Sequence, residues 1–245
     1  MGKKHSKKTN TNDNSNCGPQ IKKKFHTKDL TKIQPKTNNQ KKLMTQYKDN
    51  PDKSFFLSGS AGTGKTFLSM YLALNEVVDP NNDFDELIII RSIVPSREIG
   101  FLPGSIEEKT MVYEEPYVSI CDELFEYSKS YDNLRNAGYI DFIPTSFLRG
   151  STFNNCIILV DECQNMTFQE LDTIMTRVGT NSKIIFCGDS RQCDLNQKRN
   201  DLSGFDDFYS IVKRMKKYFS FIEFDADDIV RSGIVKEYII NKEAK

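Results

Sequence analysis

Eight residues constrain this chain more than any others: Gly59-Ser60-Ala61-Gly62-Thr63-Gly64-Lys65-Thr66. A short apolar run, Ser54 to Ser58, leads into them, and a segment with helical periodicity, FLSMYLALNEVV from Phe67, leads out. Glycines at this spacing let the backbone curl and turn its N–H groups inward, around an anion. The helix that follows adds the partial positive charge of its N-terminus at the same point. Lys65 is then placed to reach the outer phosphates of a triphosphate, and the Thr66 hydroxyl to serve as a magnesium ligand. The backbone from Gly59 to Gly64 would cradle the phosphates. A strand before the loop and a helix after it are the context such a loop needs, and an ordinary glycine turn has neither requirement.

The rest of the chain alternates in the same manner. Thr37 reads as the cap of a short helix carrying Leu43, Met44 and Tyr47 on one face. Strand-like runs occur at Leu87–Ile90, Tyr139–Ile143, Cys156–Val160, Lys183–Cys187 and Phe219–Phe224. Helical patterns cover 105–129, 167–177, 204–217 and 232–241. Continuous apolar strands separated by helices specify an α/β fold, a parallel sheet covered by helices on both faces. No run approaches 18 apolar residues, which excludes a membrane-spanning helix.

The formal net charge is zero over 245 residues, but it is unevenly spread. Residues 1–53 hold 14 Lys against 4 acids, and the remainder holds 20 basic against 30 acidic residues. Residues 1–35, rich in Lys, Asn, Thr and Gln, read as a disordered leader, with the domain running over 36–245. Such a leader is either a solvated tail or a basic arm touching phosphates, a contact that is salt-labile and carries no sequence information. Six cysteines without a CxxC pair, two histidines and no apolar signal segment suggest a reducing, cytoplasmic location and no zinc framework.

Two strand ends carry the remaining chemistry. Ile157–Val160 delivers Asp161 and Glu162 at its C-terminal end, the edge where open parallel sheets bind ligands. Asp161 is expected to hold Mg²⁺, directly or through water, and Glu162 to act as base for the attacking water. Lys183–Cys187 leads into Gly188-Asp189-Ser190-Arg191-Gln192. An amide both donates and accepts, so Gln192 is the expected sensor of the terminal phosphate. Arg149 and Arg191 are each open between a nucleotide or nucleic-acid contact and a surface ion pair. The aromatic residues at 125, 127, 131, 139 and 142 are read as core.

The segments SGSAGTGKT, ILVDECQN and IIFCGDSRQCD, in that order, resemble the PhoH family, whose core is a RecA-like P-loop NTPase similar to superfamily-one helicases. PKTNNQ (35–40), GFLPGSIEEK (100–109), EEPYVSICDEL (114–124), RGSTFNN (149–155) and DIVRSGIVK (228–236) extend the resemblance over about 35–240. It implies that Gln40 reads the adenine and that Arg231 contacts the phosphates, from its own chain or from a neighbour. It also implies ATP and Mg²⁺ as ligands, a homo-oligomer with a hexameric ring suspected, and RNA or single-stranded DNA as partner. This sequence has Cys163 where the family usually has alanine and Ser151 where it usually has arginine. Family members with an attached N-terminal nuclease domain lead to the expectation that this chain, with only its lysine-rich leader, has no nuclease activity.

Two functions follow. One is an ATPase coupled to binding or remodelling RNA or single-stranded DNA. The other is an ATP-dependent ring-forming module or switch with little turnover. The net negative charge of residues 54–245 weighs against wrapping an anionic strand unless charge is locally segregated.

Overall fold

Strand β4 (Cys156–Asp161) is buried at every position, as expected of a run that is apolar until its last residue. It lies at the middle of a six-stranded sheet with β1 (Ser54–Gly59), β2 (Glu86–Arg91), β3 (Ile140–Pro144), β5 (Lys183–Gly188) and β6 (Phe219–Phe224). The order is β3-β2-β4-β5-β1-β6 and every pairing is parallel. The computed structural model describes residues 25–93, 106–148, 150, 152–189 and 204–243. The two outer strands are the ones whose burial is interrupted along their length, β3 alternating strictly between buried and partly buried positions.

Successive strand residues point to opposite faces, so the sheet has two cores. On one face Phe55, Leu57, Leu87, Ile89, Ile157, Leu159, Ile185 and Ile222 pack with residues of α1 (Asn38–Asp49), α2 (Lys65–Val77), α3 (Ile106–Phe125) and α4 (Ser130–Asn136). On the other, Phe56, Ile88, Ile158, Val160, Ile184 and Phe186 pack with α5 (Phe168–Met175) and α6 (Phe205–Val212). The last helix is α7 (Gly233–Glu243). The expected architecture, a parallel sheet sandwiched by helices, is the one observed.

Caps and breaks explain the helix limits. The Thr37 hydroxyl accepts from the Gln40 N–H at 3.3 Å and opens α1. Thr167 and Glu170 form a reciprocal capping box at α5. The helical pattern at 105–129 divides, because Glu126 and Lys129 take positive φ and α4 begins afresh at Ser130. Likewise α6 stops at Val212, short of the expected 217.

The packed chain starts earlier than position 36. Phe25 and Leu30 are buried, and Phe25 meets the rings of Phe125 and Tyr139 edge-on at 5.5 and 5.7 Å. The Thr31 N–H donates to the Leu124 carbonyl at 2.8 Å. Reading 25–35 as part of a polar leader averaged a few apolar side chains into a lysine-rich background; those few suffice to dock it. At the opposite end of the sheet from the phosphate loop, buried Lys183 opens β5 paired with Glu76 at 2.8 Å, and the Tyr47 hydroxyl donates to the same carboxylate at 2.7 Å.

Strand order matters most for the site. β5 lies between β1, which ends in the glycine loop, and β4, which ends in Asp161. The C-terminal ends of three neighbouring strands therefore converge at one edge.

Candidate nucleotide site

The loop is shaped by what its glycines permit. Gly59 has φ +123°, and a Cβ there would lie 1.8 Å from the Phe224 carbonyl oxygen, so β6 can pass the loop only if no side chain is present. Gly62 has φ +75°, and a Cβ would lie 2.8 Å from Cγ of Arg231. The Val230 N–H donates to the Gly62 carbonyl at 3.0 Å. The Arg231 stem thus crosses the glycine loop of its own chain.

Inside the loop, the Thr63 hydroxyl donates to the Ser60 carbonyl at 3.0 Å, and both residues are buried. The Lys65 ammonium donates to the carbonyls of Gly59 and Ser60, both at 2.7 Å. Burial pulls the Lys65 pKa below its usual value, while neighbouring acidic groups including Asp189, Glu162 and Asp161 pull the other way. The ammonium is held over its own loop by two uncharged backbone carbonyls.

Thr66 and Asp161, 95 positions apart in sequence, meet directly: the hydroxyl donates to Asp161 Oδ1 at 2.8 Å. Two hard oxygen donors at the mouth of a phosphate loop suit Mg²⁺, which keeps waters and takes its other ligands from phosphates. In keeping with so sparse a set, no group of three His, Cys, Asp or Glu among the described residues could hold a metal by protein ligands alone.

Glu162 follows on a left-handed turn with φ 51°. Its carboxylate accepts from the Gln164 amide, whose oxygen accepts from the Asp189 N–H at 3.0 Å. The tip of β5 thereby steadies the carboxylate. Burial first, and the charge of Asp161 second, raise the Glu162 pKa, with Gln164, Arg91 and Lys65 tempering the rise. Cys163 is buried with its sulfur against Gly188, where a Cβ would lie 2.6 Å from it; a small side chain is what this position accepts.

Gln40 is buried beside the loop. Its amide donates to the Thr63 carbonyl at 2.9 Å, and its oxygen accepts from the Lys36 N–H at 2.8 Å. One N–H and one lone pair of the carboxamide remain for other partners. The segment carrying Gln40 is tied to the segment carrying Arg231 through Asp228, which accepts from the Asn39 side chain at 2.7 Å and from the Asp225 N–H at 3.0 Å. Burial alone would raise the Asp228 pKa, but hydrogen bonds from Thr37, Asn39 and the backbone outweigh it and hold the carboxyl below its usual range. A group lowered on folding stabilises above its unfolded pKa, about 3.9, and loses that contribution as pH falls through the lower folded value. Asp228→Asn should therefore cost about 1–2 kcal/mol at pH 7. The gap from wild type should be full at neutral pH and narrow progressively as pH falls below the unfolded value, about 3.9, in urea unfolding followed by circular dichroism; a gap that does not narrow in acid contradicts this assignment.

The structure brings Gln40, Gly59–Thr66, Asp161, Glu162 and Arg231 to one edge. Gln192, Arg149 and Arg191 lie outside the described residues. Three participants were not singled out from sequence. Gln164 lay inside a recognised motif without an assigned task. The Tyr117 hydroxyl donates to Asp161 Oδ2 at 2.9 Å, and Arg91, at the tip of β2, is the register partner of Asp161. Tyr117 lay inside the family-like segment 114–124 without an assigned task, on a helix with no sequence proximity to β4.

A parallel sheet whose central strand ends deliver a glycine loop, a lysine, a hydroxyl and an acid defines a P-loop nucleoside-triphosphate-binding protein. The model of the PhoH-like protein family matches residues 32–242, and the chain belongs to that family. A PhoH-like protein of Synechocystis sp. is 36% identical over 185 residues, covering 75% of this chain and 55% of the relative. Protein PhoH of Escherichia coli K12 is 33% identical over 181 residues, 73% and 50% of the two chains. A PhoH-like protein of Bacillus subtilis is 32% identical over 211 residues, 84% and 63%. The chain thus spans between half and two thirds of the length of these relatives. Among solved structures, a Sulfolobus solfataricus SWI2/SNF2 ATPase core in complex with double-stranded DNA overlaps with a TM-score of 0.43 and 10% identity, over 79% of this chain and 47% of that one. No described helix is long and apolar enough to cross a membrane.

Proposed function

We propose that this protein binds ATP with Mg²⁺ at the loop of residues 59–66 and hydrolyses it to ADP and phosphate. The observation that carries this reading is the direct meeting of Thr66 and Asp161 beside Lys65. Lys65 transfers its hydrogen bonds from the loop carbonyls to the outer phosphates. Glu162, held by Gln164, takes the proton of the attacking water, and water excluded by the buried strand ends strengthens each of these interactions. Bound Mg²⁺ supplies charge neutralisation of the phosphate oxygens, with Thr66 and Asp161 as its protein-side partners. Gln40 is assigned to the adenine and Gln192 to the terminal phosphate. Arg231, whose stem already crosses Gly62, is assigned to phosphate charge in its own chain.

We assign the turnover to work on RNA or single-stranded DNA, in a homo-oligomeric, hexameric ring. Supporting a ring, α7 beside the loop leaves Ile234 and Tyr238 exposed at 81% and 68%, a face that a neighbouring copy would cover. Phosphate release in Mg²⁺ and in EDTA, with single-stranded RNA, single-stranded DNA and duplexes added in turn, tests the assignment. Several-fold stimulation by a single strand supports it. Tight ATP binding without turnover supports the switch with little hydrolysis instead, and a strict monomer with full turnover by light scattering removes the ring. Removing residues 1–24, which stops short of the docked Phe25, should leave basal phosphate release intact and lower affinity for a single strand at low salt. Unchanged affinity disposes of the basic arm.

A further inference from the structure

The Asp161 carboxylate is held from two sides. Oδ1 accepts from Thr66 and Oδ2 accepts from Tyr117, at 2.8 and 2.9 Å. Tyr117 is completely buried, with its ring against Phe142 of β3 at 5.8 Å between centroids. Burial alone would lower the Arg91 pKa, but the nearby Tyr117 and Asp161 outweigh it and raise it. Arg91 sits opposite Asp161 in the β2–β4 register, and its guanidinium lies 6.0 Å from the ring centroid of Tyr113, one turn before Tyr117 on α3. A cation and a carboxylate on neighbouring strand tips would ordinarily close on each other. Here no ion pair joins Arg91 to Asp161 among the described residues, and the hydroxyl that donates to the carboxylate is that of Tyr117.

We propose that Tyr117 is the positioning residue of the magnesium seat: its hydroxyl fixes the Asp161 carboxylate with Oδ1 toward Thr66 and keeps the Arg91 guanidinium from pairing directly with that carboxylate. The proposal rests on the reading of Thr66 and Asp161 as metal partners. It goes further in assigning a residue of α3 to the seat, and with it a mechanical link from the metal to the helix that follows residues 94–105. A carboxylate engaged bidentately by arginine is a poor partner for a divalent cation, because the metal must displace a charge-assisted pair. A carboxylate held by one neutral hydroxyl at its far oxygen keeps its charge available at the near one.

The test compares the affinity of a fluorescent ADP in EDTA with that in saturating Mg²⁺, and takes the ratio as the metal's contribution. ADP is used so that contacts to a terminal phosphate do not enter. Tyr117→Phe should leave the EDTA affinity unchanged and reduce the ratio about tenfold, about 1.4 kcal/mol. Arg91→Gln, which removes the competing cation, should raise the ratio about threefold. Tyr117→Phe/Arg91→Gln should return the ratio to at least the wild-type value. Opposite movements by two single variants do not arise from a shared loss of stability, which thermal unfolding records in parallel. Should Tyr117→Phe not fold, Arg91→Gln decides alone: a rise supports the proposal, and no change or a fall overturns it. With folded Tyr117→Phe, a wild-type ratio overturns it. If the wild-type protein binds ADP no better with Mg²⁺ than without, the metal reading of Thr66 and Asp161 fails first.

Discussion

Glu162→Gln should bind ATP as tightly as the wild type and release phosphate about 10²–10⁴-fold more slowly. The substitution keeps the shape of the side chain and removes only its ability to take a proton. The structure explains why so small a change should matter. Glu162 leaves β4 on a left-handed turn, so it diverges from Asp161 instead of sharing its direction. Gln164 holds its carboxylate, and Gln164 is in turn held by the backbone at the tip of β5. A base whose proton affinity is raised by burial and by a neighbouring acid is a better base than a solvated carboxylate. Asp161, one residue earlier, already has both oxygens engaged, by Thr66 and Tyr117, and is not free for the same task. Filter binding with labelled ATP and a phosphate-release assay separate the two quantities. Wild-type turnover in Glu162→Gln would falsify the assignment of the base.

The second large effect belongs to Lys65. Lys65→Ala should weaken ATP about 10–100-fold, as loss of a charge-assisted hydrogen bond in a partly buried site does, and abolish measurable hydrolysis. Its ammonium faces no carboxylate closely enough to form an ion pair with either of the site acids; its short contacts are the Gly59 and Ser60 carbonyls. Those carbonyls belong to a loop shaped by glycine geometry and by its contact with β6, so the fold should survive the substitution, with a melting temperature within a few degrees of wild type. A variant that keeps full affinity would show that the triphosphate does not pass over this loop. One that loses affinity only by unfolding would make Lys65 structural.

Much of the fold was legible because its signals are local. A glycine loop between an apolar run and a helix, and apolar runs ending in acids, each announce themselves within ten residues or so, and parallel pairing follows from strands buried on both faces. The encounter of Thr66 with Asp161 was inferable because each stands next to a recognisable strand end. Tyr117 was not, since its partner is 44 positions away and its environment is created where α3 meets Phe142 of β3 and Asp161 of β4. Arg91 was hidden for a related reason: a lone arginine at a strand end acquires meaning only when register sets it opposite Asp161. The docking of Phe25 and Leu30 was hidden by composition, because isolated apolar residues in a lysine-rich stretch show no periodicity. The break between α3 and α4 was hidden because it depends on left-handed turns at Glu126 and Lys129, residue types that do not advertise them.

The central claim is that a triphosphate lies between the amides of residues 59–66 and the Asp161 side chain. Backbone amide shifts of isotope-labelled protein, followed as ATP and Mg²⁺ are added, test it most directly. The account predicts saturable shifts concentrated at Gly59–Thr66 and at Asp161 and Glu162, with those near Asp161 diminished in EDTA. Shifts confined to other surfaces, or none at millimolar nucleotide, would contradict it.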